Sequence, residues 1–352
     1  MEKGKKRIEY LDAMRGFTMI LVVLGHVVWY GFNYPKDNSF QYTFYNIFAY
    51  FRMPLFFFVS GFILYKQDFE WNLQTTKSFL TKKLKVQILS TLIFYLLYCY
   101  IQEKNIEIGI FSIYKYGYWF TITLFEFFIF YVIFQLFFNN TIKENKYWNI
   151  SYILYILLII TLSTGKAQEL LYLNKGVIIA TGFTYPIIQY LVFFSFGIFV
   201  KKYFSNFLAC IENSYFMACI LILFLGGAIF LQKTEINNHI INLLSIYIMG
   251  IAGITMVFGI FYKHQHGFSS STHIGRILQY IGKRTLDIYL LHYFFITYNI
   301  APIGNWLQKN PNPSIDLLIS LVTSLWIIAL CLIMSNVLRS SHFLGKLLFG
   351  IK

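Results

Sequence analysis

Residues 11–26 read Leu-Asp-Ala-Met-Arg-Gly-Phe-Thr-Met-Ile-Leu-Val-Val-Leu-Gly-His, inside an apolar run that extends over 14–32. A helix of that length covers the ~30 Å hydrocarbon core of a bilayer. No small-residue cleavage site follows the run, so it reads as a true span and not as a cleavable signal peptide. Arg15 and His26 lie inside it. A charge in hydrocarbon costs at least ~2.5–3.5 kcal/mol on insertion scales, which makes ionisable residues at that depth functional candidates.

Nine further apolar runs lie at about 44–65, 86–101, 118–138, 150–164, 183–200, 215–231, 240–262, 285–302 and 314–338, the third and fifth spans of the series being the shortest. Hydrophobic residues make up 57% of the chain and charged residues only 12%, against about a quarter charged in a soluble domain. The mean hydropathy of +0.59 agrees. These features predict an all-α, polytopic transmembrane bundle of about ten helices. All loops are short, so residues 1–352 read as a single membrane-embedded domain with no appended soluble domain.

The formal net charge of +14 raises the possibility of nucleic acid, and the placement of the charges removes it. With a cytoplasmic N-terminus, 20 of the 29 lysines and arginines fall in inner segments, among them Lys3, Lys5, Lys6 and Arg7. Seven fall in outer loops (Lys36, Lys104, Lys115, Lys166, Lys175, Lys233 and Lys309), and Arg15 and Arg52 lie within spans. That bias follows the positive-inside rule and places both termini in the cytoplasm. The basic residues are dispersed inner anchors, so no nucleic-acid partner is expected. Cys99, Cys210, Cys219 and Cys331 sit in apolar runs without CxxC spacing, which predicts neither a metal site nor a disulfide framework.

Helical phase gives the first span its meaning. Arg15 and His26 are eleven residues apart, about 20° from perfect alignment on one face and ~16 Å apart along the axis. Asp12 joins the stripe three residues before Arg15. The pattern places an ion pair near the cytoplasmic mouth and an imidazole near mid-bilayer. In the plain alternative, Asp12 and Arg15 anchor the interface while His26 is a hydrogen-bonded packing residue. A neutral imidazole at depth, however, carries the free lone pair that a general base needs to take a proton from a hydroxyl.

In the second span, Phe51-Arg52-Met53-Pro54 precedes Ser60-Gly61. Pro54 is expected to break the backbone ladder and Ser60-Gly61 to permit close helix approach; a packing notch with a snorkelling Arg52 is the alternative. Glu126 lies mid-span shortly after Trp119-Phe120, and Asp287 and His292 lie in the ninth span. A carboxylate at the depth of Glu126 needs a partner, and Arg52 or His292 could serve. Lys82, Lys83 and Lys85 form an inner basic cluster, either a positive-inside anchor or a phosphate-binding patch.

Together these residues resemble the acyltransferase-3 family of membrane acyltransferases, which includes sugar and polysaccharide O-acetylases. Its first-helix signature, an arginine, ten residues and a histidine, is similar to Arg15 and His26, with Asp12 and Gly16 in register. Met53-Pro54-Leu55-Phe56-Phe57 with Ser60-Gly61-Phe62 resembles the second signature, and Trp119-Phe120 and Tyr289-Leu290-Leu291-His292 resemble two later ones. The resemblance runs from about residue 8 to 300 or beyond. Two departures stand out. Arg52 occupies a position where relatives often carry histidine, and Lys82-Lys83-Leu84-Lys85 stands where an Arg-x-x-Arg is common, keeping charge without bidentate geometry.

The resemblance implies an acyl-coenzyme A donor, most simply acetyl-coenzyme A, bound from the cytoplasm as a substrate and not as a permanent cofactor. It implies as acceptor a hydroxyl of a surface polysaccharide or lipid-linked glycan. Arg15, Lys82, Lys83 and Lys85 are then the donor-phosphate candidates. His26, Arg15, Asp12 and Glu126 are the catalytic candidates, with His26 acting as base or as a covalent relay. Arg52, Ser60, Trp119, Asp287 and His292 are expected to line the substrate path, and no metal is expected. The expected setting is a bacterial inner membrane. A carrier or flippase for a glycan or lipid is the rival reading.

Overall fold

The computed structural model describes residues 8–33, 42–67, 69–138, 145–171, 174–233, 238–296 and 300–350. Lys3, Lys5, Lys6, Arg7 and Lys36, and residues 297–299 of the ninth predicted span, lie outside the described residues. Among the described residues all regular structure is helical. In chain order the α-helices are α1 Glu9–His26, α2 Tyr42–Leu64, α3 Leu73–Lys83, α4 Ser90–Ile101, α5 Ile106–Ile110, α6 Trp119–Phe138 and α7 Asn145–Leu162. Then come α8 Gly165–Leu170, α9 Lys175–Thr181, α10 Tyr185–Ile188, α11 Leu191–Lys202, α12 Phe204–Glu212 and α13 Ser214–Lys233. The series ends with α14 His239–Lys263, α15 His273–Lys283, α16 Thr285–Ile296, α17 Ala301–Lys309, α18 Pro313–Ser340 and α19 His342–Phe349. A helix is what such a sequence must form in lipid, where each backbone group has to find its partner within the segment.

Seven helical runs are long and apolar enough to cross a membrane: Glu9–Gly31, Tyr45–Leu64, Leu73–Ile101, Trp119–Phe138, Ser214–Leu231, Ile241–Lys263 and Pro313–Ser340. An eighth candidate is the pair Lys175–Ile188 and Leu191–Lys202, bent by 62° at its break. Two shorter apolar helices, Tyr147–Leu162 and Thr285–Ile296, fall where the fifth and ninth spans were expected. The protein is thus a multi-pass, all-α membrane protein, and each predicted apolar run lands on an apolar helix.

One local expectation is corrected. The third span does not begin at 86: helix starts at Leu73, under a capping box in which the Asn72 side chain accepts from Thr75 N–H. Lys82 and Lys83 therefore close helix α3, and Lys85 lies within the π-helical stretch Leu84–Leu89 that follows it, so the cluster is helical and not on a loop. Helix α2 runs through Pro54, as the apolar run over 44–65 requires. Loss of one ladder bond is tolerated because the rest of an apolar helix has no water to turn to.

The chain divides into two compact units, Met1–Tyr65 with Phe196–Ser335, and Lys66–Ser195 with Asn336–Lys352. In the first unit α1 is the central element. Of its span, 78% is buried, against 11% for α13, so α1 is a core helix and α13 a peripheral one. Helix α1 packs most closely on α15 and also on α2, α14 and α16. Its crossing with α15 is glycine on glycine: a Cβ on Gly16 would strike the Leu278 carbonyl, and one on Gly282 the Asp12 carbonyl. Small residues permit such backbone contact where no hydrophobic force separates helix from lipid.

In the second unit aromatic side chains build the core. Phe134 of α6 meets Trp148 and Tyr152 of α7, with ring centroids 5.5 Å and 4.8 Å away. Lys115, in the 3-10 turn Lys115–Gly117 before α6, staples short helices. Its Nζ donates to the carbonyls of Ile110 (3.0 Å), Ser112 (3.4 Å) and Ile179 (2.7 Å). Three successive left-handed residues, Lys115, Tyr116 and Gly117, make that turn.

Candidate active site

Helix α1 delivers Arg15 and His26 on one face, as its spacing requires. It continues past His26 as a π-helical stretch over Val27–Gly31, a feature frequent at functional sites. His26 is five residues from Gly31 and seventeen from Glu9, well beyond the middle of the span Glu9–Gly31 and not at its centre.

A hydrogen-bonded chain in the first unit fixes the state of the His26 ring. His292 of α16 is fully buried, at 0% exposure. Its Nδ1 lies 2.9 Å from the Ile288 carbonyl oxygen, which can only accept, so Nδ1 carries the proton. His292 Nε2 is then an acceptor, and His26 Nδ1, 2.9 Å away, is its donor. In the neutral pair the remaining lone pair is on His26 Nε2. The Tyr293 hydroxyl stands 3.5 Å from that atom. His26 is only partly buried, so of the two histidines it is the one a substrate can reach. Carbonyl, histidine and histidine form an orienting series of the kind that prepares a general base.

Arg52 of α2 joins this group. It is buried, with its Cζ 4.3 Å from the centre of the Trp29 ring. Its Nη1 fills the place where Gly25 would otherwise carry a Cβ. Its charge acts directly on His26. The snorkelling position is therefore not the one it takes.

At the other end of the stripe, Arg15 donates to Asp12 Oδ1 at 3.4 Å and to Thr285 Oγ1 at 2.9 Å. The Asp12 Oδ2 atom is buried with no hydrogen-bond partner among the described residues. About a third of the Arg15 side chain stays exposed, so this guanidinium can meet a ligand.

The remaining candidates are distributed differently. Asp287 is buried against Arg284 (3.4 Å) and accepts from Ser335, which also accepts from Arg284 at 2.9 Å. This internal network ties α16 to α18. Ser60 turns its hydroxyl to the Phe56 carbonyl of its own helix, at 2.8 Å. In the second unit, Lys82 and Lys85 are exposed, while the ammonium of Lys83 lies 4.5 Å from the centre of the Phe128 ring. Trp119 lies beside Tyr190, with centroids 5.6 Å apart.

Within the second unit, Glu126 interacts electrostatically with Lys115. Burial pushes the Lys115 ammonium below the usual lysine range, and attraction to Glu126 opposes that fall. The Glu126 Oε2 atom is buried without a hydrogen-bond partner among the described residues. Both carboxylate oxygens lie beside Gly182, where a Cβ would sit 3.6 Å from Oε1 and 3.7 Å from Oε2. Among the described residues no three His, Cys, Asp or Glu side chains group as metal ligands.

Sequence reasoning did not find Tyr293, Thr285, Trp29, Gly25 or Lys115. Tyr293 directly follows the Tyr-Leu-Leu-His run and was the nearest to being readable.

Fold and site thus define a multi-pass helical membrane protein with a prepared histidine pair inside its first compact unit. The chain belongs to the acyltransferase-3 family, whose model, an acyltransferase domain, matches residues 8–336. It is a membrane acyltransferase. No curated protein and no solved structure matches the chain.

Proposed function

We propose that this acyltransferase moves an acetyl group from cytoplasmic acetyl-coenzyme A to a hydroxyl of a cell-surface polysaccharide or lipid-linked glycan in a bacterial inner membrane. The observation that carries the mechanism is the Ile288–His292–His26 chain, which leaves the remaining lone pair on Nε2 of the His26 ring. That atom takes the proton of the acceptor hydroxyl while the oxygen attacks the thioester carbon. Collapse of the adduct breaks the C–S bond, and the departing coenzyme A sulfur receives the proton from His26 Nε2.

Arg15 supports the donor end. Its partly exposed guanidinium, held by Asp12 and Thr285, suits a phosphate oxygen. With the N-terminus in the cytoplasm, Arg15 faces the donor's compartment. His26, ~16 Å further along the helix, lies within reach of a pantetheine arm and towards the outer side.

The test is chemical analysis of the surface glycan of the producing cell with and without the gene. We expect base-labile acetyl esters to disappear on deletion and to return with the intact gene. Unchanged ester content in every glycan fraction would refute the acceptor assignment.

A further inference from the structure

We infer that Arg52 is the oxyanion-stabilising residue of the site, resting on the acyl-transfer chemistry proposed at His26. When the acceptor oxygen adds to the thioester carbon, the carbonyl π pair moves to oxygen and a tetrahedral oxyanion forms. The proton is then on His26 Nε2. Collapse restores the C=O bond, expels coenzyme A through its sulfur and returns that proton to the sulfur. Something must carry the negative charge in between, and such preorganised stabilisation is usually a large share of catalysis.

Backbone amides are poorly placed for this work here. His26 is inside a continuous helical run, as is Arg52, and amides inside a helix are committed to its own ladder. The stabilising group must therefore be a side chain. Arg15 is ~16 Å along the helix, and Arg284 is engaged with Ser335 and Asp287. Arg52 lies against Gly25, the residue immediately before His26, and acts electrostatically on that ring.

Its setting is that of a positioned cation. The Trp29 face holds the planar guanidinium, a stacking that lysine does not reproduce. Gly25 leaves the space that Nη1 occupies, so any side chain at 25 displaces the charge. This accounts for a glycine directly before the proposed base.

The test uses the full-length protein in lipid nanodiscs and two coenzyme A thioethers. S-acetonyl-coenzyme A keeps a planar ketone and mimics the bound donor. S-(3,3,3-trifluoroacetonyl)-coenzyme A adds water or a hydroxyl to become tetrahedral and mimics the adduct. Arg52→Gln is expected to weaken the trifluoro compound on the order of 100-fold and S-acetonyl-coenzyme A by less than about twofold. Arg52→Lys should fall between wild type and Arg52→Gln for the trifluoro compound alone.

Retained binding of S-acetonyl-coenzyme A certifies the fold of each variant. Should Arg52→Gln fail that check, the Arg52→Lys result decides. Equal weakening of both compounds, or of neither, overturns the role of Arg52 and leaves the donor reading standing. A wild-type protein that binds neither compound removes the donor reading, and this inference with it.

Discussion

His26 and Glu126 both place a titratable group inside a long apolar helix, one in each compact unit, and the two groups are treated in opposite ways. His26 is embedded in a chain of assigned donors and acceptors that begins at a backbone carbonyl and ends at the lone pair of its own Nε2. Glu126 has both oxygens beside a glycine, one of them without a hydrogen bond among the described residues, and a lysine as its charge partner. Orientation is what separates them. A base has to present one defined atom to its substrate, and only the histidine is held that way. A counter-charge has only to be near.

The contrast can be broken at either end. Removing the orienting ring should have the largest effect: His292→Leu is expected to lower kcat about 100-fold with little change in the donor KM, because His26 loses its tautomer. His292→Gln keeps an oxygen that can accept from His26 Nδ1–H and should recover part of the loss. If both variants turn over normally, the histidine chain does not orient the base. In the second unit, Lys115→Met leaves three carbonyls without their donor. Thermal unfolding in detergent should show about 2 kcal/mol of lost stability. Arg15→Ala is expected to raise the donor KM about tenfold with kcat little changed, the pattern for lost ground-state binding. An unchanged KM would remove Arg15 from the donor site. The smallest effect is expected for Glu126→Gln, a neutral isostere, with kcat within about threefold of wild type. A loss comparable with that of His292→Leu would make Glu126 a catalytic residue and end the contrast.

Much of this contrast was legible from residues, and what was not has a common cause. A period of 3.6 residues places Asp12, Arg15 and His26 on one face without any tertiary information, and the folded helix keeps Asp12 and Arg15 in contact. The apolar runs likewise announced the helices, because in lipid length and hydrophobicity decide the span. Long-range pairings were invisible. His26 and His292 are 266 positions apart, and no periodicity inside either helix says that they meet. Arg52 was visible as a costly charge, but its seat on Gly25 and Trp29 depends on how α1 and α2 cross. Lys115 was counted as an ordinary outer-loop cation. Its role as a staple depends on left-handed backbone at Lys115 and Tyr116, residue types that rarely adopt it.

The most direct measurement is single-turnover release of free coenzyme A from acetyl-coenzyme A by the purified protein mixed with the glycan fraction of the producing cell. Wild type and His26→Ala are compared at matched donor occupancy. Wild type should release coenzyme A in step with acetyl esters appearing on the glycan, and His26→Ala should be slower by about 1,000-fold. Equal rates in a His26→Ala variant that binds donor normally would contradict the assignment of His26 as the base.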